Sequence, residues 1–178
     1  PSMPLKFWND KNHNKFKDAY FNRFSNIWHH GDFAEIKKTR GFIIHGRSDT
    51  TLNPGGVRLG TAEIYSEVEK FKEIKESIVV GQSWDNDVRI VLFIVMNAKF
   101  FLTEDLLKKI KIQIRKNASP RHVPSKVIVV RDIPRTKSGK IVELAVKNTI
   151  EGNNIKNKEA LANPKALEQF KNLKELSI

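Results

Sequence analysis

Apolar positions along this 178-residue chain change their spacing several times, and each change predicts an element. Ile64, Val68 and Phe71 fall at i, i+4 and i+7, so a helix opened by a Thr61 cap is expected, with Glu67, Glu69 and Lys70 turned to water. Residues 77–81 and 88–96 are rich in Val and Ile and read as strands joined by the turn Asp85-Asn86-Asp87. Thr103 then caps a second helix. Glu104 and Asp105 sit in its first turn, and Leu106, Leu107, Ile110 and Ile114 form its buried face. Residues 126–130 read as a strand, 142–150 as a short helix, and Asn163-Pro164 as the start of a last helix reaching about Leu173. That order of elements suggests a small sheet covered by helices.

The stretch before this pattern is less regular. Up to about Ile36 it is rich in aromatic residues, with Phe7, Trp8, Phe16, Tyr20, Phe21, Phe24 and Trp28 spaced as packing anchors. Phe42 to His45 reads as a short strand. A polar, Gly-rich segment follows from Gly46 to Gly60, and a domain boundary is placed there.

Composition narrows the possibilities. With 39% hydrophobic and 29% charged residues the chain can build a core, which argues against general disorder. It contains no cysteine, so disulfides, thiolate metal sites and a cysteine nucleophile are excluded. No apolar run approaches the roughly 20 residues of a membrane helix, and Pro1-Ser2-Met3-Pro4 is no leader, so a cytoplasmic protein without a membrane partner is expected. The five histidines lack a metal-ligand spacing, and no metal site is expected. Asn117-Ala118-Ser119 has the form of a glycosylation acceptor but is expected to be unused. The net charge is +12, and residues 99–140 supply most of it. Nucleic acid, an anionic membrane and a multiply phosphorylated ligand all suit such a segment.

Two loops hold glycine beside basic residues. In the segment 46–60, Pro54-Gly55 suits the centre of a type II turn, and Gly56 leaves space for an approaching chain or ligand. Read plainly, this is a hairpin with a glycine turn. The second loop, Pro134-Arg135-Thr136-Lys137-Ser138-Gly139-Lys140-Ile141, is not a mononucleotide P-loop, because Pro134 replaces the first Gly and Ile141 follows the Lys where Ser or Thr is required. It is either a solvated basic turn or a site for an anion.

Taken together, Gly31-Asp32, Gly46-Arg47-x-Asp49, Gly56-x-Arg58 with Glu63-Ile64, and Pro134-Arg135-Thr136-x-Ser138-Gly139-Lys140 resemble, in order and spacing, the C-terminal motifs of the adenylate-forming acyl-CoA synthetase superfamily. Further blocks extend the likeness from Pro1 to about Leu173: the segment 53–61, Ser119-Pro120-Arg121-His122-Val123-Pro124, and Asn163-Pro164-x-Ala166-Leu167. The resemblance implies an α+β fold, a small mixed sheet covered by helices, forming a mobile C-terminal lid over residues 49–178. Residues 1–48 would finish a large N-terminal adenylation domain. That domain carries the family's phosphate loop, most of the adenine pocket and the acid pocket, none of which this sequence contains, so the chain alone is expected to be inactive.

The same resemblance implies roles for particular residues. In the family a carboxylate attacks the α-phosphate of ATP to give acyl-adenylate and pyrophosphate, after which the CoA thiol takes the acyl group and AMP leaves. Lys140 would be the catalytic lysine of the first step. Asp32, Arg47 and Arg58 would contact the nucleotide, and Asp49 would be the hinge. Gly56 would wall the pantetheine tunnel, with Arg58, Glu63, Arg115 and Arg121 also on the CoA side, the two last being either CoA contacts or solvated charges. Mg2+ would enter with ATP, held mainly by the absent domain. Trp8, Trp28 and Trp84 are expected to pack rather than to stack on bases. Other readings are a ligase for acetate or propionate, a basic nucleic-acid-binding module, and a CoA sensor without catalysis.

Overall fold

The computed structural model describes residues 3–155 and 157–177; Pro1 and Ser2 of the opening block lie outside the described residues. The chain divides into two compact units between Asp32 and Phe33.

In the first unit, helix α1 (Asn14–Tyr20) begins where the Asp10 carboxylate accepts hydrogen bonds from the Lys15 and Phe16 amides at 3.1 and 2.9 Å. Phe7, Phe16 and Tyr20 meet edge to face with ring centres 5.4 to 5.8 Å apart, and Trp28 packs on Tyr20 at 5.2 Å. Such pairs exploit the positive edge and negative face of the rings. Trp8, by contrast, is 95% exposed and anchors nothing within this unit.

The second unit, from Phe33 on, opens in a two-stranded hairpin of β1 (Asp32–Ile36), whose first residue belongs to the first unit, and β2 (Phe42–Arg47). Its main body is a mixed three-stranded sheet of β3 (Ile74–Trp84), β4 (Asp87–Met96) and β5 (Lys126–Val129), in the order β3-β4-β5. β3 and β4 are antiparallel, with Val80 opposite Val91; β5 runs parallel to β4, reached through helix α3 (Glu104–Asn117). Asp85 and Asn86, both with positive φ, form the two-residue turn between β3 and β4, as the twist of a tight hairpin requires.

Alternation along these strands builds two cores. Ile78, Val80, Val91, Phe93 and Val95 face helix α4 (Glu143–Ile150) and the C-terminal segment. Val79, Ile90, Leu92 and Ile94 face helix α2 (Thr61–Val68) and α3, along with Leu52 and Leu59. Both sheet faces are therefore covered, which is why β4 reads as an unbroken apolar run. The Tyr65 hydroxyl donates to Glu143 at 2.6 Å and accepts from the Val79 amide at 3.0 Å, joining α2, β3 and α4. Burial pushes the phenol well above its ordinary pKa, and the Glu143 carboxylate adds to this.

Three local expectations change. The cap of α2 is Gly60, and Thr61 is the first helical residue. Glu67 does not face water: only 7% exposed, it accepts from Lys70 at 2.6 Å, Gln113 at 2.9 Å and Asn117 at 2.8 Å, so it ties α2 to α3. The final helix is a 3-10 segment, Pro164–Phe170, and the Asn163 side chain does not cap it. Asn163 turns back instead, donating to Asp132 and the Ile133 carbonyl and accepting from the Arg135 amide.

Those contacts predict a pH effect. The Lys70 ammonium and then the Asn117 and Gln113 amides hold the Glu67 carboxyl below its ordinary pKa. A group depressed on folding stabilises the fold while ionised and loses that contribution as pH falls through the carboxylate range. Glu67→Gln is therefore expected to flatten the acid limb of the stability profile, measured as urea midpoints between pH 7 and pH 3; an unchanged acid limb would contradict the assignment.

Among the described residues, no helix is long and apolar enough to cross a membrane.

Candidate functional site

Lys140 closes a tight hairpin. The Gly139 amide donates to the Thr136 carbonyl at 2.8 Å, and the Thr136 amide donates to the Lys140 carbonyl at 2.9 Å. Gly139 has φ +83°, the left-handed position that ends a three-residue loop of this kind. The Thr136 hydroxyl accepts from the Lys140 amide at 3.1 Å, and the Arg135 guanidinium donates to the Gly139 carbonyl at 2.9 Å while pairing with Glu76 at 3.0 Å. Backbone and neighbours are thus tied down, while Lys140 itself is exposed and makes no salt bridge among the described residues. The basic turn presents an uncompensated ammonium on a fixed base.

The segment 46–60 differs from a plain type II turn. The Val57 amide donates to the Pro54 carbonyl at 3.2 Å across Gly55 and Gly56, with φ of +57° and +76°. Both central residues are left-handed, so the turn is of the mirror type that glycine favours. The Gly55 amide donates to both oxygens of Asp87 at 2.9 and 3.0 Å, anchoring this turn to the β3–β4 hairpin. A polar cleft of about 650 Å³ lies between them, lined by Asn53, Gly56, Trp84 and Asn86. A β-carbon at Gly56 would meet nothing within 4 Å, so that side of the cleft is open. A second cleft of about 410 Å³ shares Trp84, Asp85 and Asp87 and carries Pro54, Arg89, Arg121 and Ser125.

Trp84 packs at the rim of these clefts. It is 38% exposed, and the Arg89 guanidinium lies 3.7 Å from its ring centre. Arg89 is held by the Gln82 side chain at 2.9 Å and the Leu176 carbonyl at 2.5 Å. One face of the indole is thereby braced.

The other site residues fall as follows. Asp32 is half-buried, with a carboxylate oxygen 2.5 Å from His30 Nδ1. Arg47 donates in a fork to Asp49, 3.2 Å on each arm. Arg58 and Arg115 are exposed, and Arg115 lies in the last turn of α3. Glu63, on α2, is bonded by His122 and faces His45. Gly56 and Arg121 are brought to adjoining clefts; Lys140 and Arg115 line neither.

Arg89 escaped the sequence reading, which gave Trp84 a packing role and gave His45 and His122 no role at the site. Only His122 carried a local signal, three residues after a Ser that can cap a turn; the Ser119 hydroxyl accepts from the Arg121 amide and bonds His122 Nδ1 at 2.8 Å. No group of three or more His, Asp or Glu among the described residues is placed to hold a metal.

The chain thus presents a sheet with helices on both faces, a glycine turn anchored to its central hairpin and a lysine on a clamped basic loop. Residues 63–140 match the family described as AMP-binding enzyme C-terminal domain. The chain is similar to acetoacetyl-CoA synthetases. It is 60% identical to acetoacetyl-coenzyme A synthetase of Rhizobium meliloti over 99% of its own length and 27% of that protein. The corresponding Xenopus tropicalis protein is 47% identical, again over 99% of this chain and 26% of the relative. The solved acetoacetyl-CoA synthetase from Streptomyces lividans superposes with a TM-score of 0.87 at 39% identity, covering 96% of this chain and 26% of that one. The chain thus spans about a quarter of the length of its relatives.

Proposed function

We propose that this chain works as the C-terminal part of an acetoacetate–CoA ligase, which joins acetoacetate to CoA through acetoacetyl-AMP at the expense of ATP. Residues 1–48 complete the adenylation domain and residues 49–178 form a lid hinged at Asp49. The observation that carries this reading is Lys140, an exposed ammonium without a paired carboxylate among the described residues, on a loop clamped by Thr136 and Arg135. The first half-reaction forces a carboxylate onto a phosphate, and a positioned cation offsets the repulsion between them. Lys140 donates hydrogen bonds to the carboxylate and α-phosphate oxygens as charge redistributes; Asp32 accepts from the ribose hydroxyls, and Arg47 and Arg58 face the nucleotide.

Acyl transfer then needs the thiol of a long pantetheine arm where the ammonium stood, and rotation at Asp49 makes that exchange. Gly56, open on one side, walls the thiol's path. Arg121, and Arg115 further along the lid, meet the phosphates of CoA, while Glu63 supports the thioester-forming arrangement. The residues present do not fit a magnesium site, since no carboxylate cluster gathers among those described; Mg2+ enters bound to ATP, outside this chain. ATP, CoA and acetoacetate are the small-molecule partners.

Pyrophosphate exchange by the complete ligase, driven by acetoacetate but weakly by acetate or propionate, is the expected result. Equal exchange with acetate would replace the acid assigned here, and none with any acid would remove the reading. The braced face of Trp84 leaves its other side for a base at the nucleotide end of CoA. Trp84→Ala is expected to raise KM for CoA about tenfold, since one stacked base is worth roughly 1–3 kcal/mol, while pyrophosphate exchange is unaffected. An unchanged KM would return Trp84 to a packing role.

A further inference from the structure

The segment around Asp49 is built as two fixed parts with a short link between them. Leu52 and Leu59 exchange both backbone hydrogen bonds, at 3.0 and 2.9 Å, and the Leu52 side chain is fully buried in the core beneath α2 and α3. From Leu52 onward the chain is therefore part of the sheet body. β2 ends at Arg47, which leaves residues 48–51 to absorb a rotation.

Yet β2 touches that body directly. The His45 carbonyl passes so close to Gly60 that a β-carbon there would fall 2.5 Å from the oxygen, and one at Gly46 would fall 3.3 Å from the Thr61 hydroxyl. The His45 ring lies between two carboxylates, Nε2 3.2 Å from Glu35 on β1 and Nδ1 3.7 Å from Glu63 on α2. The other Glu63 oxygen bonds His122, which Ser119 orients. A line of polar groups thus runs from the strand before the hinge to a buried histidine in the body after it. Turning the body about residues 48–51 carries α2 away from β2, so these contacts cannot survive in both positions.

We propose that the contact of β2 with the start of α2, formed by His45, Gly60 and Glu63, is a latch across the hinge that favours the lid position in which it is made. It rests on the reading of Asp49 as the pivot of a two-position lid. His45 is then a positioning residue for the ligase: it touches no substrate and acts on the balance between the half-reactions.

Gly60→Ala tests this cleanly. Gly60 has φ −81° and ψ 145°, which alanine adopts without strain, so the methyl group acts by pushing on the His45 carbonyl. His45→Ala removes the imidazole as a second route to the same result. In the complete ligase, pyrophosphate exchange and acyl transfer from preformed acetoacetyl-AMP are measured separately. The ratio of the two rates is expected to change about tenfold, in the same direction for both variants. Rates that stay the same, or fall alike, overturn the latch.

In the 178-residue chain, amide hydrogen exchange over residues 42–47 is expected to quicken about tenfold in both variants while β3 and β4 keep their protection. Unchanged exchange in 42–47, or equal acceleration everywhere, counts against the latch. A parent enzyme that performs neither half-reaction would fail the ligase reading alone, and the exchange experiment would then decide the latch.

Discussion

Lys140→Ala in the complete ligase is expected to slow acetoacetate-dependent pyrophosphate exchange by about 10²- to 10³-fold, the usual cost of removing one preorganised group from a developing charge. Acyl transfer from preformed acetoacetyl-AMP to CoA should stay within a few-fold of the parent, because the rotation proposed at Asp49 removes the ammonium before that step. The fold should not suffer. Lys140 is exposed, and the hairpin is held by backbone bonds and by Thr136 and Arg135, none of which uses its side chain. Lys140→Arg separates charge from shape: a planar guanidinium keeps the charge but cannot place a compact donor between two crowded oxygens, so little exchange should return. If Lys140→Ala exchanged pyrophosphate at the parental rate, adenylation would have to draw its positive charge from elsewhere.

Phe170→Ala is the corresponding test of the scaffold, with an expected loss of about 3–5 kcal/mol, the range for truncating a large buried aromatic. Phe170 is fully buried and meets Phe93 of β4 edge to face, ring centres 4.9 Å apart. It thereby fastens the 3-10 segment Pro164–Phe170 to the sheet. Its neighbours Leu167 and Leu176 enter the same core. The measurement is the denaturant midpoint, with Phe101→Ala as control: Phe101 is 80% exposed and its removal should stay within about 0.5 kcal/mol. Equal shifts for both variants would mean that the C-terminal segment only rests on the sheet.

Side-chain periodicity made the three-stranded sheet and its helices readable, because burial on both faces leaves long apolar runs in β3 and β4 and a regular stripe in α3. Thr103 was readable as a cap, and its hydroxyl does accept from the Leu106 amide at 3.2 Å. The hairpin partner β1 was not. It ends in exposed residues and gains its order from pairing with β2 rather than from burial. Glu67 escaped for a related reason: helical spacing put it beside water, and only the approach of Gln113 and Asn117 from α3 makes a buried carboxylate tolerable. At the site, physics alone made the loop at Lys140 a basic turn; the role proposed for it came from motif order across the chain. Trp84 and Arg89 are separated by the turn and come together only when the hairpin closes.

Gly81 of β3 has a consequence for how such proteins can vary. A β-carbon there would fall 2.7 Å from the Val88 side chain but at an ordinary contact distance, 3.5 Å, from Leu52, so the bare backbone at this point makes room for Val88 beside the seated Leu52. Any larger residue would press on Val88 and leave Leu52 in place, as the fixed end of the short tether that starts at Arg47. Extra residues should be absorbed before Leu52 and resisted after it, so the radius of the sweep proposed for the lid is set by the length of chain between Arg47 and Leu52.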